Sequence, residues 1–215
     1  MSQQPDAAPH SDQPRANRAV LITAAVVVAV LGAMALDTTV VRIGSDADVR
    51  AAVFSPEAFG AETFPKVQAN VTARAVDAQE LATAIAADPK AAEAKYSVGG
   101  VYSVKLEGVA GEGKSGIYYV DVAGIPAPLR LRVQTGPAIN GTELRDATGE
   151  ISFSQFTNQI EYQDAGSALN KEMKKLVLDG VDNSALTGKT VSVVGAFKLV
   201  NPKSWMITPV SLELK

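Results

Sequence analysis

The sequence predicts an α+β fold carried behind an N-terminal transmembrane helix, and three observations lead there. One apolar run, Ala19 to Leu36, holds no charged residue in eighteen positions. Between Asp46 and Tyr96 alanine is abundant and apolar residues fall at helical intervals. After Gly99-Gly100 the period changes to two, the spacing of half-buried strands.

Residues 1–18 are rich in Gln, Pro, Asp, Ser and Ala without apolar periodicity, and read as a disordered cytoplasmic tail. The run 19–36 as a helix spans roughly 27 Å, the short end of what crosses a ~30 Å hydrocarbon core. Arg15 and Arg18 precede it and Asp37 closes it, so the N-terminus stays inside and residues 37–215 face the extracytoplasmic or periplasmic side. A second reading stays open. Ala33-Met34-Ala35 has the form of a signal cleavage site, which would release a soluble protein beginning near Leu36. The run's continuation to Leu36, the mildly apolar Thr38 to Val41, and a tail diluted by Asp6 and Asp12 favour an uncleaved anchor. Both readings export the same domain.

Residues 37–99 form a small helical annex. Ser55-Pro56-Glu57 is a cap followed by proline at the first helical position. Asp77-Ala78-Gln79-Glu80 has the form of a capping box opening a helix through Leu81, Ala84 and Ile85. Asp88-Pro89 ends that helix and caps another, which runs to about Lys95. These helices are expected to be short and held by packing. In residues 100–215, Tyr102, Val104 and Leu106 alternate with polar neighbours, as do Leu129, Leu131 and Val133. Val191, Val193, Phe197 and Leu199 share one face, interrupted by Gly195. Ile117 to Val122 is apolar on both faces apart from Asp121 and is expected to be more deeply covered. Met206 to Leu214 is a final strand in which Pro209 marks an edge or a bulge. A helix over Tyr162 to Leu178 places Ala165, Leu169, Met173, Leu176 and Val177 on its apolar face, with Gly180 as the stop. Three strands, a helix and two strands is the element order of a five-stranded antiparallel barrel of the oligonucleotide/oligosaccharide-binding (OB) type, with the helix between strands three and four.

Composition excludes several functions. A net charge of −3 lacks the basic face of a nucleic-acid binder. No cysteine is present, so disulfides, thiolate catalysis and cysteine metal sites are absent. The one histidine, His10, precedes the anchor, which removes Ser-His-Asp chemistry and most transition-metal sites from the exported domain. No cofactor is expected. Gly108 to Ser115 matches the phosphate-loop pattern letter for letter, but the β-rich Ile117 to Val122 follows where that mechanism needs a helix. It reads as a glycine-rich hairpin loop, not a nucleotide site. Asn70-Val71-Thr72 and Asn140-Gly141-Thr142 fit the glycosylation pattern, and Asn140-Gly141 also reads as a turn needing positive φ.

The densest polar stretch, Gly141 to Asn170, holds the candidate ligand or partner contacts Arg145, Asp146, Asn158, Gln159, Tyr162 and Asn170. Amides beside aromatic rings suit sugar hydroxyls and sugar faces. The structural reading makes Arg145 and Asp146 an ion pair, with the amides satisfying loop backbone. Glu143, Asp146, Glu150, Glu161 and Asp164 are the carboxylates from which a glycosidase-like pair would come, though their spacing selects none.

This stretch, with Leu186 to Phe197 and the C-terminal Ile207 to Leu214, resembles a bacterial family of predicted periplasmic lipoproteins of unknown function. The resemblance runs from about Val40 to the C-terminus. Members are often encoded beside sugar-uptake ABC transporters. It implies an envelope protein accessory to carbohydrate uptake, an interaction module whose partner is a sugar transporter or its periplasmic binding protein. The alternative is direct binding of a small carbohydrate. The resemblance supplies no catalytic or ligand residues. The missing histidine and cysteine and the lack of an identifiable carboxylate pair in the exported domain lead to the expectation that it is not an enzyme, with a carboxylate-based hydrolase as the competing class. The chain departs from the family in lacking a cysteine to lipidate, and the helix 19–36 would take the place of the lipid.

Overall fold

The computed structural model describes residues 13–37, 54–182 and 185–215, with side chains from residue 20 in the first segment and to residue 36. The chain divides into two compact units, Met1–Val53 and Phe54–Lys215. In the first, helix α1 (Gln13–Asp37) runs for 25 residues. Every described side chain on it, Val20 to Leu36, is exposed. Among the described residues no helix is long and apolar enough to cross a membrane. The described side chains of α1 make seventeen positions and stop short of the expected span 19–36. Residues 1–12 of the expected tail and residues 38–53 of the expected annex lie outside the described residues.

Among the described residues every buried core residue, from Phe64 to Leu212, lies in the second unit, which so carries a core of its own. Helix α2 (Pro56–Arg74) starts at the expected cap, where Ser55 accepts from the Ala58 N–H at 3.3 Å. At 19 residues it is not short, and it buries Phe64, Val67 and Val71. Strand β1 (Val76–Asp77) leads into α3 (Ala78–Ala87), capped by Asp77 onto the Gln79 N–H, with Leu81 and Ile85 inward. Glu80 does not complete a capping box: it accepts from the Tyr96 hydroxyl instead. Asp88 ends α3 and caps α4 (Pro89–Tyr96) through the Lys90 and Ala91 N–H groups, as its position before proline predicts. Strand β2 (Ser97–Val98) follows.

The five long strands are β3 (Val101–Lys114), β4 (Ile117–Asp121), β5 (Arg130–Gln134), β6 (Thr190–Lys198) and β7 (Ser204–Leu214). They pair in the order β3-β4-β5-β7-β6, and β6 returns to β3, so the ring of pairings closes. Closure is possible because β3 is long: residues 101–109 pair with β6, and Val109 to Lys114 pair with β4. The expectation of a wholly antiparallel sheet is corrected here, because β5 and β7 are parallel. An odd ring cannot alternate direction all the way round, and the helical crossover between β5 and β6 reverses the alternation at this pair. The short β1 also pairs parallel to β3.

Two other local expectations change and one is met. Glycines 108, 111 and 113 lie within β3 and not in a loop; the hairpin is the two residues Ser115 (φ 53°) and Gly116 (φ 74°), joining the pair Lys114 and Ile117. Two consecutive positive φ values are those of a type I′ turn, whose twist suits a hairpin. A Cβ on Gly116 would overlap the Gly136 carbonyl oxygen of a crossing segment, so this turn admits no side chain. Strand β4 is not deeply covered: Val120 is buried, but Tyr119 is 37% exposed and Asp121 is exposed as well. Pro209 does sit at a bulge, where the β6–β7 register shifts between Val194 and Gly195.

The crossover helix α6 (Gln159–Met173) begins three residues before the expected Tyr162 and buries Ala165, Leu169 and Met173. It ends in a π turn, Lys174–Leu178, with the Asp179 N–H donating to the Lys174 carbonyl. The extra residue in that turn rotates the inward face, so Leu178 is buried and Leu176, expected inside, is 57% exposed. Helix α6 packs on α2 at a close approach of Gly60 to Ala168, where a Cβ on Gly60 would lie 2.8 Å from the Ala168 carbonyl oxygen. Gly60→Val is expected to cost about 1–3 kcal/mol by forcing the helices apart, measurable by urea unfolding of residues 54–215.

Candidate functional site

The polar stretch singled out in the sequence folds into a short helix α5 (Glu143–Asp146), a 3-10 turn Phe153–Gln155, and the first turns of α6. It brings three of the six candidates together. Arg145 is 8% exposed and donates from Nε to Asp146 at 2.8 Å and from Nη1 to the Tyr162 carbonyl at 3.2 Å. Its guanidinium lies 3.7 Å from the centre of the Tyr162 ring. Asp146 accepts two further bonds, from Lys198 Nζ at 2.7 Å and Thr142 Oγ1 at 2.8 Å. Tyr162 in turn meets the rings of Phe153 and Phe156, and Phe156 meets Phe54 and Phe59.

The electrostatics of α5 pull in two directions. Burial pushes the Asp146 carboxyl up, but bonds from Arg145, Lys198 and Thr142 and the guanidinium charge outweigh it and hold it below the ordinary carboxylate range. Burial dominates for Glu143 and pushes it up, with the Asp146 charge adding to the rise. Its Oε2 is buried without a hydrogen-bond partner.

The remaining candidates stand apart from this cluster. Asn158 is the cap of α6, its Oδ1 accepting from the Ile160 and Glu161 N–H groups at 2.9 Å each. Gln159, the first residue of the helix, is exposed. Asn170 donates to the Gly141 carbonyl at 2.9 Å, fastening the loop before α5 to α6. Among the carboxylates considered for hydrolysis, Glu161 accepts from the Thr157 N–H and Asp146 is bound to three donors. Among the described residues no three His, Cys, Asp or Glu side chains gather as a metal site requires. Ser115 is followed by a strand, so the phosphate-loop pattern has no helix N-terminus to present.

A second place was missed in the sequence. A groove of about 380 Å³ opens on the outer face of β3, β4 and β5, lined among others by Glu112, Tyr119, Asp121 and Arg130. The Arg130 guanidinium lies 5.1 Å from the centre of the Tyr119 ring. Beside it Arg132 pairs across the strands with Tyr119, and its Nε is buried without a partner. Alternation along Arg130 to Gln134 marks Arg130 and Arg132 as outward residues, but only the β4–β5 register sets them against Tyr119.

The model of the family described as "Predicted periplasmic lipoprotein (DUF2291)" matches residues 24–213. The chain belongs to this family of predicted periplasmic lipoproteins, whose description assigns no activity. Among solved structures the chain is similar to an OB-fold protein from Thermotoga maritima, at 22% identity and a TM-score of 0.61 over 76% of this chain and 100% of that one. That likeness concerns the fold alone, and agrees with the closed ring of strands. No curated protein matches the chain.

Proposed function

We propose that the chain is a non-catalytic extracytoplasmic module, held at the inner membrane by α1, that serves a carbohydrate uptake system as an accessory or interaction partner. The observation that carries the non-catalytic reading is the fate of the polar stretch. Arg145, Asp146, Asn158 and Asn170 are engaged with one another or with backbone, and so bind the fold together where a reactive cluster would leave groups free. The anchor follows from the absence of a cysteine: a lipoprotein family member without a lipidation site needs another means of attachment, and the charge-free run 19–36 supplies one. Tethering raises the effective concentration of the module toward a membrane partner, so weak contacts suffice.

Three measurements test this. Protease added to spheroplasts should digest residues 54–215, and protection of them would reverse the topology. Affinity capture of the full chain from solubilised membranes should recover a transport protein. A panel of chromogenic glycosides and esters should remain unhydrolysed; turnover abolished by changing one carboxylate would make the protein a hydrolase.

A second reading, direct binding of a small carbohydrate, is favoured by the β4–β5 groove. An exposed aromatic ring flanked by a guanidinium and carboxylates offers a platform for a sugar face with donors and acceptors for its hydroxyls. Calorimetry of residues 54–215 with pentoses, hexoses and short glycans distinguishes the readings. Binding weakened about ten-fold or more by Tyr119→Ala, and untouched by Asn158→Ala, would place the ligand in the groove.

A further inference from the structure

The groove on the outer face of β3, β4 and β5 is polarised across its width. Glu112 lines it from β3, Tyr119 and Asp121 from β4, and Arg130 from β5, and all four are exposed. The β4–β5 register passes through Val120 and Leu131, so Asp121 and Arg130 come next in line. The ion pairs among the described residues nevertheless include neither of them. Asp121 turns toward β3 instead: its Oδ2 lies 3.8 Å from where a Cβ on Gly111 would stand, and the glycine leaves it that room. Arg132 follows Arg130 on the same face, about 6.6 Å further along the strand, and sits opposite Tyr119. It is partly exposed and also outside those ion pairs. Its Nε is buried, so what it offers a ligand is the outer pair of guanidinium nitrogens. We propose that this groove binds a sugar acid, its carboxylate held by Arg130 and Arg132 and its hydroxyls by Glu112 and Asp121 across Tyr119, which rests on the carbohydrate reading of the same groove.

Two like charges side by side on one strand face repel, and an anionic group set against both offsets that repulsion. A guanidinium fork matches a carboxylate through parallel N–H···O bonds, roughly twice as strong as those between neutral groups. A neutral sugar gives the same forks only hydroxyl oxygens. Glu112 and Asp121 accept from hydroxyls and repel an acid group, so the ligand's charge has one side of the groove open to it and its orientation is fixed. A bare anion would use the β5 side alone and leave the Tyr119 ring and the two carboxylates without a role. Strand order places the ring between the two charged sides, where a sugar ring spanning them would lie against it.

Calorimetry of the full chain in phosphatidylcholine nanodiscs compares galacturonate with galactose, which differ only in a carboxylate against a hydroxymethyl group. Galacturonate should bind about ten-fold or more tightly. Arg130→Gln and Arg132→Gln should each bring it to within about three-fold of galactose. Both positions face outward, so the variants should melt as the parent does, which circular dichroism checks. Tyr119→Ala should weaken galacturonate as well, because the ring supports the sugar and not the charge. Inorganic phosphate should bind more weakly than galacturonate. Equal affinity for the two sugars, or a preference that survives both arginine substitutions, would overturn the proposal and spare the carbohydrate reading. Phosphate bound as tightly as galacturonate, or galacturonate binding untouched by Tyr119→Ala, would overturn it too. Failure of both sugars to bind would overturn it, and the panel of pentoses, hexoses and short glycans then decides the carbohydrate reading by itself.

Discussion

Phe197→Ala is expected to lower the unfolding free energy of residues 54–215 by about 3–5 kcal/mol, the range for removing a large ring from a packed core. Phe197 is fully buried and sits between two other rings, Tyr102 at 5.3 Å and Trp205 at 4.6 Å, each within 16° of parallel. These rings join β3, β6 and β7, so one truncation removes burial and two stacking contacts, each worth about 0.5–1.5 kcal/mol beyond its area. Phe197→Leu keeps most of the volume and should cost under about half as much. Denaturant melts followed by circular dichroism and by the fluorescence of Trp205 give both numbers, and Trp205 emission should shift to the red in the alanine variant as water reaches its uncovered face. A loss below about 1 kcal/mol would mean that the stack is not part of the core that holds the ring closed.

The elements that were legible in the sequence are those written in local chemistry. Ser55, Asp77 and Asp88 announce helix starts because a short oxygen-bearing side chain before a helical run has a backbone N–H to satisfy. Asn158 does the same for α6, but an amide beside aromatic rings carries the sequence pattern of a ligand contact as well as that of a cap, so the pattern alone does not mark the helix start. The parallel β5–β7 pair was latent in the element count, since five strands in a closed ring force one parallel neighbour, but a strand list without closure does not reveal it. The π turn at Lys174–Leu178 left Leu176 outside, because a hydrophobic period of 3.6 carries no signal for one inserted residue. The β4–β5 groove required register: Tyr119 and Arg132 are thirteen positions apart in sequence, and only the hairpin pairing sets them side by side.

Arg145→Ala should destabilise the protein by about 3 kcal/mol, the lower end for removing one partner of a buried ion pair. Arg145 and Asp146 side chains are 10% and 16% exposed, so the carboxylate left behind is poorly hydrated, though Lys198 and Thr142 still hold it. The bond to the Tyr162 carbonyl and the contact with its ring are lost as well. The pH dependence separates the two carboxylates of α5. Asp146 is depressed in the folded state, so its contribution is present above the unfolded value of about 3.9 and is lost as pH falls through the lower folded value. Asp146→Asn should therefore be less stable at neutral pH and show a flatter acid limb below about pH 4. Glu143 is raised, so its contribution is full below the unfolded value of about 4.3 and is lost as pH rises through the folded one. Glu143→Gln should then hold or gain stability at neutral pH, opposite in sign to Asp146→Asn. Urea unfolding at pH 3, 5 and 7 measures all three variants. If Arg145→Ala leaves stability unchanged at every pH while capture of the membrane partner is lost, then Arg145 faces a partner and its contacts with Tyr162 are not what holds α5 to α6.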